Sequence, residues 1–325
     1  MHADPVALHE LLGPLPALCR RALTGEHGVS LPPLTDHHVH LHLIDEHALP
    51  AGGIAGVLDL GGDPVGFARR AADAMPRVAY AGAFLTAPGG YPAGRAWAPA
   101  EIVREISDPS AHPGVPGGAA TAVDEQASFG ASVVKVALNA AAGPVFDAVT
   151  LDAVVAAAHG HGLPVVAHVE GDGMTRLALE AGVDVLAHTP FTEALDAVLI
   201  ARAVSAGQRW ISTLGIHGDE PPAAATATAN LAAFAAAGGR VLYGTDLGNG
   251  DRRVGVQVEE LAALDRAGVR GEALLNALCD PWPAAAPAGV ATFIPGAPPR
   301  SLGDVAEWLG AATVVPTEEL IDDDH

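Results

Sequence analysis

Residues 164–188, PVVAHVEGDGMTRLALEAGVDVLAH, decide how this chain is read. An apolar run, Pro164–His168, leads through a glycine turn into a helical stretch, Thr175–Ala181, and then into a second apolar run, Val183–Ala187, followed by His188. Near-continuous apolar strands joined by a helix describe a parallel pair covered on both faces. Working outward, further short apolar runs fall at Leu34–Leu41, Ile54–Leu60, Val78–Leu85, Ser132–Ala137, Trp210–Leu214 and Val241–Tyr243. Ala-rich segments of helical length lie between most of them, at Val65–Ala74, Ala148–His161, Thr192–Ala206 and Ala224–Ala237. Eight strand–helix units in about 250 residues predict an α/β fold of the closed (β/α)8 TIM-barrel type.

The ends depart from this rhythm. Met1–Ser30 reads as an N-terminal helical extension, one helix around Pro5–Leu23, so the expected division is 1–30, a barrel over 31–282, and a short C-terminal segment over 283–325. In that last segment Gly289–Ile294 and Ala312–Val315 read as a vestigial strand pair flanking a short helix near Leu302–Leu309. The acidic tail Glu318–His325 is expected to fray. Ala87–Gly118 is a long Pro/Gly-rich excursion after the third strand, and such loops at the C-terminal ends of barrel strands are where sites are built.

Composition narrows the function classes. Half of the 325 residues are hydrophobic and mean hydropathy is +0.28, yet no apolar run reaches the length of a membrane span. The N-terminus lacks the pattern of a signal peptide, and two distant cysteines, Cys19 and Cys279, fit a reducing compartment, so a soluble cytoplasmic protein is expected. A formal charge of −21 repels nucleic acid and anionic membranes. That leaves a small-molecule substrate, and at most further copies of this chain, as partners. An anionic substrate would need local basic groups or a metal to overcome this field.

Lys135 is the only lysine; the other sixteen basic residues are Arg. A GC-rich genome accounts for the bias. A surviving lysine is still notable, because an amine can lose its proton and act as a nucleophile where a guanidinium cannot.

The first strand ends in Asp36-His37-His38-Val39-His40-Leu41-His42. Residues i and i+2 of a strand share a face, so His38 and His40, or His40 and His42, can converge on one ion. A His-rich loop that binds nothing is the bland alternative. Other strands end in His168, His188 and Asp246, and Lys135 lies near the end of the fourth. Each alone is more often a satisfied structural residue than a ligand. Together they sit at strand ends that surround one cavity of a barrel, which makes a borderline N/O site suited to Zn2+, or to Fe or Mn.

These segments, with Gly130-Ala131-Ser132-Val133-Val134-Lys135-Val136, Val166-Ala167-His168-Val169-Glu170-Gly171 and Tyr243-Gly244-Thr245-Asp246, resemble the amidohydrolase superfamily over roughly Leu34 to Cys279. The likeness is greatest to its imidazolonepropionase-like and dipeptidase-like branch. The resemblance implies two Zn2+ per chain: His38, His40 and Asp246 on one, His168 and His188 on the other, and Lys135 bridging as a carbamate. It further implies a bridging hydroxide that attacks an amide, cyclic amide or ester of a small molecule rather than a protein, with Asp246 as general base and then acid. A mononuclear deaminase or imidazolone-type hydrolase with unmodified Lys135, and a non-catalytic binding barrel, are the competing expectations. The chain departs from the family in its flanks, where many members carry a β-sandwich.

On the substrate side, His217 follows the seventh strand and could orient a carbonyl. Tyr91 and Arg95 lie in the long third loop and could cover the site. Glu170, two residues after His168, could serve as an acid or proton shuttle. Asn139, Thr189 and Asn249 follow metal-bearing strands, where they could equally cap helices.

Overall fold

A computed structural model describes residues 4–71, 73–218 and 220–323. Its centre is a set of parallel strands. The first is β3 (Leu34–Val39), preceded by β1 (Ala17–Arg21) and β2 (His27–Leu31); then come β4 (Ile54–Asp59), β5 (Arg77–Tyr80), β6 (Phe84–Thr86), β7 (Val103–Glu105), β8 (Val134–Asn139), β9 (Val165–Glu170), β10 (Val185–Leu186), β11 (Arg209–Ile211) and β12 (Arg240–Leu242). Seven of them form one sheet, β12-β11-β10-β9-β8-β6-β7, and three another, β3-β4-β5. All are parallel to their neighbours. Hydrogen bonds join the sheets at both edges. Ser132 N donates to Tyr80 O at 2.8 Å, and His37 N and His40 N donate to Tyr243 O and Leu247 O just beyond β12. This is a fold of the TIM-barrel type.

Strands expected from sequence appear at all eight positions. The third is divided: Arg77–Tyr80 joins one sheet and Phe84–Thr86 the other, with Gly82 at φ 74° between them. The Gln126 side chain accepts from Ala83 N at 2.8 Å and holds this break. The apolar pattern runs straight through it, because both halves face the same interior.

The N-terminus corrects the expectation of one helix to Leu23. The helix covers only Pro5–Leu12, capped by Asp4 and ended by Gly13 at φ 81°. Pro14 and Pro16 follow, and a proline removes a helical donor and clashes with the preceding turn. The chain then forms β1 and β2. The C-terminal pair is not vestigial either. With β13 (Val290–Pro295), β14 (Thr313–Pro316) and β15 (Leu320–Asp322), the N-terminal hairpin builds a five-stranded antiparallel sheet, β14-β13-β2-β1-β15. Short Ala/Leu/Arg segments look helical locally; partners nearly 300 residues away decide otherwise, as in Arg20↔Ile321 and Ser30↔Phe293. The tail does not fray as far as Asp323, whose carboxylate meets Arg20 at 2.9 Å; the tail's last two residues, and Met1–Ala3 of the extension, lie outside the described residues. Thr292 Oγ1 accepts from Leu34 N at 3.3 Å, tying this sheet to the start of β3.

Among the described residues no helix is long and apolar enough to cross a membrane.

Candidate metal centre

The C-terminal ends of the parallel strands converge on one cavity of about 500 Å3. Every residue singled out above for metal or substrate lines it except His42, Arg95 and Thr189, so of the two histidine pairs the strand spacing offered it is His38 and His40 that face the cavity. His38 and His40 share a face of β3, as their spacing predicts, and both aim Nε2 at Asp246 Oδ1, at 3.2 and 3.3 Å. One donor atom from each of the three lies within 4.8 Å of the others, and all three residues are buried.

The imidazoles are locked from behind. His38 Nδ1 faces Ala187 O at 2.8 Å and His40 Nδ1 faces Gly61 O at 3.3 Å. A carbonyl accepts only, so Nδ1 carries the proton and Nε2 presents its lone pair to the cavity. His188 is held likewise through Nδ1 by Thr213 Oγ1 at 2.9 Å. His168 is turned the other way: Nε2 faces Glu170 Oε2 at 3.1 Å, which leaves Nδ1 as its available ligand atom. The rings form a chain, with His38–His188 centroids 4.6 Å apart and His168–His188 4.9 Å apart. Burial pushes His38 and His188 well below the ordinary imidazole range, keeping both neutral, as a metal ligand would have to be.

Lys135 is 1% exposed, with Nζ 5.9 Å from the Phe84 ring centre. Burial lowers its pKa to about 7, opposed in part by Asp246 and Asp59. Burial alone would raise Asp246, but the hydrogen bond and charge of His40, the proximity of His188 and the Asn249 amide keep it below the usual carboxylate range. Asn249 Nδ2 donates to Asp246 Oδ2 at 3.0 Å, so its role is to hold this carboxylate. Asp246 at φ 54° and Thr213 at φ 42° are the non-glycine residues with left-handed backbone among those described; both hold site groups, where such strain tends to concentrate.

Two buried acids that the sequence reading left without a role support this arrangement. Asp36 accepts from His38 N, Thr245 N and Thr245 Oγ1, pinning the end of β3 to the chain beyond β12; burial raises its pKa to about 7. Asp59 accepts from Leu41 N at 2.7 Å and Gly61 N at 2.9 Å, setting the turn whose carbonyl orients His40. Asp59 closes the apolar run of β4, so the rule that marked His168 and His188 would also have marked it. Gly61 has φ 155°, and a Cβ there would lie 2.0 Å from the Phe84 ring. Gly61→Ala is therefore expected to lower stability by about 1–3 kcal/mol, as overpacking does, and urea unfolding would measure it.

On the substrate side the third loop delivers Tyr91, with its ring 5.2 Å from His168 and 5.9 Å from Trp97. Arg95 stacks on the outer side of this group, 5.9 Å from the Tyr91 ring centre. Trp97 and Phe84 also line the cavity; the Pro/Gly-rich loop gave no local signal for Trp97, and Phe84 read only as an apolar residue of the third strand. His217 sits in the 3-10 turn Leu214–His217 against Phe191, with centroids 4.3 Å apart, and burial lowers its pKa to about 4. Glu260, buried on the helix Val258–Arg266, accepts from Leu214 N and Gly215 N and so fixes that turn. Glu170 accepts from Asn139 Nδ2 at 2.6 Å. The Asn139 Oδ1 meanwhile accepts from Ala142 N, and Thr189 donates to Ser212 O, both local structural bonds.

No protein-family model matches the chain, and no curated protein matches it by sequence. Solved structures do share its fold. A Xaa-Pro dipeptidase with bound methionine in the active site superposes with a TM-score of 0.70 at 18% identity, covering 90% of this chain and 86% of that one. A. niger ochratoxinase gives 0.68 at 19%, covering 90% and 82%. Phenylurea hydrolase B gives 0.65 at 15%, covering 90% and 85%. At these identities the likeness is one of fold.

Proposed function

We propose that this chain is a metal-dependent hydrolase of the amidohydrolase superfamily, built on a closed eight-stranded barrel and acting on the amide, cyclic amide or ester bond of a small molecule. The observation that carries the reading is the pair of tautomer-locked imidazoles, His38 and His40, converging with Asp246 beside a buried lysine. The dipeptidase, ochratoxinase and phenylurea hydrolase that share the fold support a hydrolase.

The donor set fits divalent ions: neutral imidazoles with fixed lone pairs, one ionised carboxylate, and an amine able to become an anionic oxygen ligand. His38, His40 and Asp246 would hold one ion, His168 and His188 the other, and Lys135, as a carbamate, would join both. Zn2+ is the favoured metal, with Fe or Mn as alternatives. Bound ions would polarise the scissile carbonyl and make water a nucleophile near neutral pH. Asp246 takes up the proton of the attacking water and returns it to the leaving nitrogen or oxygen, while Asn249 keeps its second oxygen in place. His217, uncharged at neutral pH, offers an N–H to the substrate carbonyl oxygen, and Tyr91 covers the bound molecule. Glu170 orients His168 and faces the substrate. The cytoplasm is the proposed location, supported by two distant cysteines that fit a reducing compartment.

A second reading has one ion, unmodified Lys135 and deaminase or imidazolone chemistry. It is favoured by the tight grouping of His38, His40 and Asp246, which His168 and His188 do not join. Metal content per chain by elemental analysis, with intact mass in neutral bicarbonate under gentle ionisation, separates the two. About two ions, and the added mass of one carbon dioxide lost on acidification, are expected. One ion without added mass selects the mononuclear reading, and none after reconstitution removes both.

A further inference from the structure

The cavity is charged in one sense. Among its lining side chains the sole ammonium or guanidinium is Lys135, and that lysine is buried at the metal end. Neither Arg252 nor Arg95 lines the cavity. Arg252 donates to Thr245 O and Gly215 O, both at 3.0 Å, and Arg95 stacks on the Tyr91 ring rather than lining the cavity. Besides Asp246 at the metal end, two carboxylates, Glu170 and the exposed Glu220, line it. Its apolar wall is aromatic: Phe84 and Tyr91 each pack against Trp97, at 6.0 and 5.9 Å. His217 also faces the cavity uncharged.

A substrate carboxylate seated there would leave bulk water, face Glu170 and Glu220, and, once the scissile carbonyl occupied the metal end, meet no lysine or arginine among the described residues that line the cavity. Burying an unpaired charge is costly, and the net charge of −21 adds to the repulsion. An aryl group would instead stack on Tyr91 and Trp97, and a cationic substituent would gain from the acids and the ring faces.

We infer, taking the hydrolase reading as its basis, that the site selects uncharged or cationic aryl amides and ureas and rejects substrates bearing a free carboxylate, dipeptides included. The test uses the full-length, metal-loaded protein and four ligands sharing one scissile amide: phenylacetanilide and its para-carboxamide, para-aminomethyl and para-carboxylate derivatives. Affinity is measured by calorimetry and turnover by release of the aniline. The neutral and ammonium members are expected to exceed the carboxylate by tenfold or more in both affinity and kcat/KM. Glu220→Arg should narrow that gap by about tenfold. Equal or tighter binding of the carboxylate, or no binding by any member, overturns the inference. The expected order of affinities without turnover would leave it standing and overturn the hydrolase reading instead.

Discussion

Asp246→Asn is expected to lower kcat/KM on the order of 10³-fold or more while leaving the fold intact. The two side chains have the same shape, and Asn tolerates the left-handed backbone at φ 54° better than most residues, so the melting temperature should move by only about 2 °C. What disappears is the proton acceptor, a step that typically contributes 10²- to 10⁴-fold. The charge goes as well, and this gives a readout independent of turnover. In the metal-free protein burial drives His40 down, but the hydrogen bond and charge of Asp246 outweigh it and hold His40 above its ordinary value. The Asn variant removes that support, so the His40 imidazole should titrate at lower pH, followed by its ring resonances in NMR. Wild-type turnover, or an unmoved His40 titration, would show that Asp246 does not face the imidazoles as the geometry has it.

The convergence of the candidate site was largely legible because its residues obey a local rule. Polar groups that could bind an ion sit where apolar strands end, and His168 and His188 announce themselves by interrupting runs of Val and Ala. The i, i+2 spacing of His38 and His40 needs only strand geometry. Elements that depend on distant partners were not legible. β1 and β2 are stabilised by β13 and β15, and nothing within residues 17–31 encodes that pairing. Trp97 reaches the cavity through the path of the long third loop, and Glu260 through a helix that faces the turn carrying His217. In such cases the residue type is visible in the sequence, but its neighbour is set by the whole fold. Gly13, Pro14 and Pro16 are the exception: these local signals stop the first helix and were there to be read.

Lys135 carries the second large effect. Lys135→Ala is expected to bind about one ion fewer per chain and to lose turnover on the order of 10²-fold or more. Part of the activity should return with acetate or propionate, whose carboxylate can occupy the space vacated beside Phe84 and replace the bridging oxygens. The chemistry depends on a neutral amine: its lone pair adds to carbon dioxide, one proton leaves, and the carbamate carries one negative charge. Burial supplies that neutrality by lowering the pKa to about 7, against an ordinary 10.5 in the unfolded chain. Between those values the unfolded state holds the proton and the folded state does not, so the stability of the metal-free protein should rise with pH from about 7 toward 10.5 and be lowest below 7. Lys135→Met fills nearly the same space without a charge and should flatten that slope. At pH 6 it should be more stable than metal-free wild type on the order of 3–5 kcal/mol, measured by urea unfolding. The same burial thus costs stability in the empty protein and would supply the neutral amine that a carbamate-bridged centre requires. If Lys135→Ala kept its full metal content and turnover, the buried amine would be a structural group and the mononuclear reading would take its place.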